Sequence, residues 1–289
     1  MDTMDCDMES SSWMYADAWR SRVQGLMRLE EIGYTLSGVI GFGGYGVVFK
    51  AMKNGVPVAI KWVDNTSDIQ KTCCIHPSGQ AIPKEIDLMT RISNLEGILH
   101  LLDWFQVGNA GYFMIFQSPN SAIDLFELIS KEGLLSEVTA KIYFRNIVET
   151  IDNICKAGVF HRDLKSDNIV VDLDTNSAKI IDFGCGTKLR DGKYHKFNGT
   201  LIFMPPEWFL HKFYEALPAT VWTLGCLLYE MVTGHLPFNS DNEIIAAQVT
   251  FLQTDALSDD CKNLIHACLA FDYNTRPALQ DIILHPWLI

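Results

Sequence analysis

No cysteine spacing in this chain suits a staple. Its 8 cysteines, at 6, 73, 74, 155, 185, 226, 261 and 268, form no Cys-x-x-Cys pair and no Cys/His cluster at zinc-ligand intervals. A structural zinc site and a disulfide framework are therefore not what organises so long a chain. Basic residues are scarce: 23 Lys plus Arg against 35 Asp plus Glu leave a formal charge of -12. Such a surface repels phosphate backbones and anionic headgroups, so neither nucleic acid nor a membrane is an expected partner, and a cationic partner is. No apolar run reaches the ~18 residues a membrane span needs. The N-terminal MDTMDCDMESSSW is acidic where a secretory signal begins basic. The expectation is a cytoplasmic, and also nuclear, protein with reduced thiols, in which Cys185 reads either as a small buried side chain or as a reactive thiol. Gly and Pro number only 20 and 10 while 48% of residues are hydrophobic, which excludes disordered, collagen-like and coiled-coil classes. No internal repeat or low-complexity tract occurs. At roughly 150 residues per domain, the 289 residues predict two domains or one bilobal unit.

Residues 1–33 mix acids, Ser11, Ser12 and two tryptophans, and read as a loosely held leader, partly helical from Tyr15 to Met27. From Tyr34 the chain turns β-rich, broken by a glycine cluster and by Asn54-Gly55, a two-residue hairpin signal. Residues 81–93 place Ile82, Ile86, Met89 and Ile92 at helical spacing, and strand-like runs follow near 99–106 and 112–116. That predicts roughly five strands and one helix. Beyond the break at 118–121 the runs beginning LFELIS, SEVTAKIYF, TVWTLGCLL and SDDCKNLI read as helices. Strands first and helices second predict an α+β fold.

The run Gly41-Phe42-Gly43-Gly44-Tyr45-Gly46-Val47-Val48 has the form GxGxxGxV. Taken alone it serves a plain hairpin as readily as a phosphate, and the strand after it argues against a dinucleotide fingerprint. Val58-Ala59-Ile60-Lys61 follows, ending an apolar strand on a cation. Loop and lysine together supply what a polyphosphate needs: closely approaching backbone and a fixed positive charge. Glu85 on the next helix is the natural anion to hold Lys61, or else an ordinary exposed helical acid. The run His161-Arg162-Asp163-Leu164-Lys165-Ser166-Asp167-Asn168 is denser in chemistry. Asp163 can accept a proton from a hydroxyl, Lys165 can neutralise a transferring phosphoryl group, and Asn168 can offer an amide oxygen to a divalent cation. Asp182-Phe183-Gly184 after an apolar strand suits a second Mg²⁺ ligand.

In this order the motifs resemble those of eukaryotic-type protein kinases, over about Tyr34–Trp287. Pro205-Pro206-Glu207 stands where that family has Ala-Pro-Glu, and Arg276 in Asn-Thr-Arg-Pro is the expected partner of Glu207. Leu101–Phe105, Pro119, Asp124-Leu125-Phe126, Trp208 after Glu207, Val221 and His285-Pro286-Trp287 narrow the resemblance to the Pim serine/threonine kinases. Gln117, Ser118, Phe116 and residues 1–33 depart from the Pim pattern.

The resemblance implies a bilobal α+β kinase fold. Its N-lobe at about 34–116 is an antiparallel sheet with one main helix, its hinge lies at about 117–121, and its mainly helical C-lobe at about 122–287. It implies ATP and Mg²⁺, or Mn²⁺, as cofactors. Ile40 and the glycine loop would cover the nucleotide, with Val48, Ala59, Val170 and Ile181 about the adenine. Phe116 would be the gatekeeper, and Gln117 and Pro119 hinge residues, the proline removing one N–H donor. Lys61, Glu85, Asp163 and Lys165 would be catalytic, with Thr200 tied to Asp163 and Lys165, while Asn168 and Asp182 would hold metal. Asp124, Glu127 and Asp167 would face substrate residues upstream of the acceptor, favouring protein substrates with basic segments. Of the hydroxyls between Gly184 and Pro205, at Thr187, Tyr194 and Thr200, none reads as a required phosphosite, so a loop ordered without phosphorylation is expected, in a monomer. Two other readings remain: a pseudokinase scaffold, which usually lacks one of Lys61, Asp163, Asn168 or Asp182, and a small-molecule kinase, which the Pro-Pro-Glu-Trp segment disfavours.

Overall fold

The computed structural model describes residues 23, 25–43, 46–65, 70, 73–75, 79–252 and 256–289. The leader to residue 22 with Cys6, the expected helix start at Tyr15, and Gly44 and Tyr45 of the glycine loop lie outside them, as do the side chains of Phe42 and Gly43. The chain divides into two compact units, one running to Thr90 and including His100–Pro119, the other comprising Arg91–Leu99 and Asn120–Ile289.

In the first unit, β1 (Tyr34–Gly43), β2 (Gly46–Lys53) and β3 (Val56–Asp64) form a meander. A short ribbon of β4 (Cys74–Ile75) and β5 (Ala81–Ile82) precedes helix α1 (Lys84–Arg91), and β6 (Leu101–Val107) and β7 (Gly111–Gln117) complete an antiparallel sheet of order β1-β2-β3-β7-β6. Asn54 and Gly55 take φ of 52° and 79°, the left-handed pair that a two-residue turn between right-twisted strands requires. Register fixes which residues share a face: Val48 lies opposite Lys61, Ala59 opposite Phe116, and Lys61 opposite Met114. On that face Met114 and Phe116 pack with Ile82 and Ile86 from the α1 region. The other face carries Ile60, Trp62, Phe113 and Ile115, buried with Leu29.

This second face corrects the reading of the leader. Residues 25–31 are helical, running past Met27, and Leu29 is fully buried while Leu26 packs beside it. The leader is not loose at its described end, because an apolar sheet face needs a cover and Leu26 and Leu29 supply it. The expected lobe boundary also shifts. Arg91–Leu99 groups with the second unit, where Ile180 N–H donates to Gly97 O (2.8 Å) and Leu99 N–H donates to Ile180 O (3.3 Å).

The second unit opens with β8 (Ala122–Asp124), α2 (Leu125–Glu132) and the 20-residue α3 (Glu137–Lys156), whose N-cap Ser136 accepts from Thr139 N–H. There follow β9 (Val159–Phe160), a 3₁₀ turn at Ser166–Asn168, β10 (Ile169–Asp172), β11 (Ser177–Ile180), β12 (Thr187–Lys188) and β13 (Lys193–Tyr194). The polar run from His161 to Asn168 thus lies between β9, paired with β12, and β10, paired with both β8 and β11. The unit ends in α4 (Pro206–His211), β14 (Tyr214–Glu215), α5 (Ala216–Thr233), α6 (Asp241–Ala246), α7 (Asp259–Cys268) and α8 (Leu279–Ile283). Helix α5 corrects the expectation that no apolar run would reach spanning length: its 18 residues have a mean hydropathy of 1.2. They are 83% buried, so that apolarity forms the core of the unit.

Candidate active site

In the first unit Lys61 Nζ lies 2.7 and 2.9 Å from the two carboxylate oxygens of Glu85, and both residues are buried. Glu85 sits in the first turn of α1, where the helix dipole favours an acid. A buried ammonium gripped this way is held in position by its counter-ion. The exposed-acid reading of Glu85 is overturned. Val48, Ala59 and Phe116 share the face of Lys61, each partly exposed, so the sheet offers an apolar surface beside a fixed cation. Gly46 takes φ 142°, and a Cβ there would run into the Trp62 carbonyl, so the close approach of β2 to β3 demands glycine. Ile40 is exposed, Gly41 partly so, and Gln117 is exposed with Pro119 partly so.

In the second unit the loop after β9 is built around Asp163. Its Oδ1 accepts from Thr200 N–H (2.8 Å) and its Oδ2 from Asn168 Nδ2 (3.3 Å), which also donates to the Asp163 carbonyl (2.7 Å). The carboxylate is oriented by donors yet partly exposed, as a proton acceptor must be. Thr200 does meet Asp163, through its backbone N–H. Gly199 beside it takes φ 121°, and a Cβ there would strike the Arg162 carbonyl. Lys165 Nζ is 3.9 Å from Asp167 Oδ2.

The residues proposed for metal carry the right atoms. Both donations from Asn168 come from its amide nitrogen, which leaves Oδ1 as the atom to accept a ligand. Asp182 takes φ 60°, a left-handed conformation rare outside glycine, and its Oδ1 accepts from Gly184 N–H (3.1 Å). A carboxylate and an amide oxygen are hard donors suited to Mg²⁺. Among the described residues no cluster of three His, Cys, Asp or Glu forms a cage, and Mg²⁺ held by one or two protein oxygens plus substrate phosphates needs none. Val170 and Ile181, the adenine candidates of this unit, are both partly exposed, and Ile181 N–H donates to Asn168 O (3.0 Å).

Three residues do more than the motif reading assigned them. His161 is buried, and burial lowers its pKa below the usual imidazole range despite the Ile181 carbonyl and the Asp182 and Asp163 charges. The neutral ring fits both of its bonds, Nε2 donating to Ile181 O (3.0 Å) and Nδ1 accepting from Asp163 N–H (3.3 Å), so it positions the loop. Arg162, at φ 72°, donates through Nη2 to Lys196 O (2.6 Å) and through Nε to Tyr214 Oη (3.2 Å). Glu230 is the one charged side chain of α5. Its Oε1 accepts from Ser166 Oγ (3.0 Å), while its buried Oε2 has no partner among the described residues. Burial, with a smaller push from Asp167, raises its pKa to about 7 against the Ser166 bond. A lone acid in the run LGCLLYEMVTG was the signal in the sequence.

The acids expected to face substrate are already engaged locally. Asp124 Oδ1 caps α2 by accepting from Glu127 N–H (2.7 Å), and Glu127 pairs with Lys131 (2.6 Å). Asp124 lies opposite Val170 in register, and α2 packs on the Ser166–Asn168 turn that bears Asp167.

Residues 34–288 match the model of the protein kinase domain. The chain belongs to the protein kinase family. This kinase is similar to the serine/threonine-protein kinase pim-2 of Danio rerio, 37% identical over 265 residues, which cover 89% of this chain and 84% of that protein. It is also similar to prk-2 of Caenorhabditis elegans, 38% identical over 88% of this chain and 58% of that protein, and to PSK1 of Saccharomyces cerevisiae, 32% identical over 86% of this chain and 19% of that protein. The kinase is an ATP-dependent transferase acting on protein serine and threonine, and the Pim resemblance read from its motifs is borne out.

Proposed function

We propose that this kinase is competent without activation-loop phosphorylation and that it prefers protein substrates with basic residues upstream of the acceptor. The observation that carries the first part is Arg162. Its guanidinium is occupied by the Lys196 carbonyl, within the segment it would order, and by the Tyr214 hydroxyl of β14, where a phosphate would otherwise be needed. Tyr194 stacks on Tyr214 (5.5 Å), lies edge-on to Phe160 (5.4 Å) and is buried under the Arg190 guanidinium. Burial of these rings and two hydrogen bonds to a cation hold the segment unmodified. Bacterially expressed protein treated with phosphatase is expected to keep its full rate on a peptide substrate. A rate that appears only after incubation with an upstream kinase would overturn this reading.

Bound ATP supplies the phosphoryl group, and the divalent ion neutralises its oxygens. For the chain's own residues we assign Lys61, fixed by Glu85, to a phosphate oxygen, Asp163 to the proton of the attacking hydroxyl, and Lys165 to the charge on the transferred group. No disulfide joins the seven described cysteines, which fits a reducing cytosol or nucleus.

The substrate preference rests on Glu230. A buried carboxylate oxygen without a donor is costly, and a guanidinium would satisfy it with a charge-assisted bond. Since the Glu230 pKa is raised to about 7, the group gains charge as pH rises through 7. The KM for peptides with upstream arginine should therefore fall by about tenfold between acidic and alkaline sides of neutrality, the size of one such bond. Glu230→Gln should flatten that dependence and leave peptides without arginine unaffected. A pH profile identical in the two proteins would remove Glu230 from substrate binding.

A further inference from the structure

The segment 193–212 reverses the charge of the chain. Against an overall -12 it carries Lys193, Lys196, Lys212, His195 and His211, with Glu207 as its sole acid. Glu207 is buried and bonded to Arg276, so it neutralises nothing at the surface. All five cationic or ionisable side chains are exposed. Three of them converge on one ring, that of Phe213: Lys193 Nζ stands 3.7 Å from its centre, the His211 ring stacks on it at 5.7 Å, and the His195 ring meets it edge-on at 6.5 Å. Lys212 lies next in the chain, over the Trp208 ring at 5.8 Å. The adjacent acids are Asp191 in the chain and Glu215 opposite Lys193 in register, and among the described residues no ion pair joins either to this group.

An ammonium with no acid paired to it among the described residues, flanked by imidazole N–H donors, favours an anion. The ring of Phe213 packs on Tyr273 (6.1 Å), and β13 pairs with β14, so the platform is fixed before any ligand arrives. One ammonium and two imidazoles around a single ring place several N–H donors in one surface patch. A phosphate monoester, with a charge of about -2 and three acceptor oxygens, fits that chemistry better than a single carboxylate. The cluster belongs to the same stretch of chain as Thr200, bonded to Asp163, and Lys196, bonded to Arg162, so it is joined through the chain to the segment that meets the proposed base.

The geometry points to Lys193, His195 and His211 as a docking site for a phosphorylated segment of protein substrates, distinct from the acids that would receive arginines. It extends the substrate reading above, resting on peptide substrates but not on their basic preference. The probe is a fluorescent peptide that contains one phosphoserine and no arginine or acceptor hydroxyl, titrated against the whole chain by anisotropy beside its serine counterpart. The phosphopeptide should bind about tenfold more tightly, the size of one additional charge-assisted bond. The advantage should vanish in a Lys193→Ala/His211→Ala variant whose kcat/KM on an unphosphorylated peptide is unchanged, and Lys193→Arg should retain it. Equal affinity for the two peptides, or an advantage that survives in the double variant, overturns the proposal. Stronger binding of RNA or of phosphatidylserine vesicles, lost in the same variant, overturns it in favour of a polyanion surface. Because the probe lacks arginine, failure of the basophilic reading would show only in the acceptor-peptide assays and would leave this titration intact.

Discussion

Asp163→Asn is expected to yield a folded protein whose kcat is lower by a factor of about 10²–10⁴, the usual worth of a positioned general base. The substitution keeps the shape of the side chain and one carbonyl oxygen, so the Thr200 N–H retains an acceptor while the proton acceptor is lost. Folding should hold because Asp163 is only partly buried and the loop is also braced by His161 and by Asn168 on the Asp163 carbonyl. Turnover and melting temperature measured on the same preparation decide the matter. Undiminished turnover would remove Asp163 from the chemistry, and a collapsed melting temperature would make its role structural. Lys61→Met is a less selective test, since it also strips Glu85, 6% exposed, of its ammonium.

The largest stability effect is expected at Glu207. Arg276 donates through Nη1 and Nη2 to Glu207 Oε1 and Oε2 (2.9 and 2.8 Å), through Nε to Ala270 O and through Nη1 to Pro218 O, and it lies 4.9 Å over the Trp222 ring. Its side chain is wholly buried. Glu207→Ala leaves that guanidinium buried without its counter-ion, at a cost of about 3–5 kcal/mol. For a chain of this size the melting temperature should fall by roughly 10 °C. Glu207→Ala/Arg276→Met should recover much of the loss, because removing both charges avoids the uncompensated one. An unchanged melting temperature in the single variant would show that the pair adds nothing.

The sheet was legible because its strands alternate between two buried faces and because Asn54-Gly55 states its own turn. The packing of the leader's described end was not legible for a related reason. Leu26 and Leu29 look like scattered apolar residues until the exposed face of a sheet is there to need them, and that face exists only in three dimensions. The chemistry-bearing motifs were legible because Asp163, Asn168 and Asp182 act through atoms whose type the sequence names. Arg162 and Glu230 were not, since what matters about them is occupancy. Whether a guanidinium already has carbonyl partners, or a carboxylate oxygen lacks a donor, depends on residues 34 and 64 positions away. The same holds for the cluster around Phe213. Lys193, His195 and His211 meet on the Phe213 ring only once the β13–β14 pairing brings the two ends of that stretch together.

The most direct measurement is transfer of label from radiolabelled ATP, with Mg²⁺, to an arrayed panel of serine, threonine and tyrosine peptides by phosphatase-treated wild-type protein, with Asp163→Asn run alongside. The expected result is label on serine and threonine peptides with upstream arginine, and none with the variant. No transfer by the wild type, or equal labelling by both proteins, would contradict an active serine/threonine kinase built on these residues.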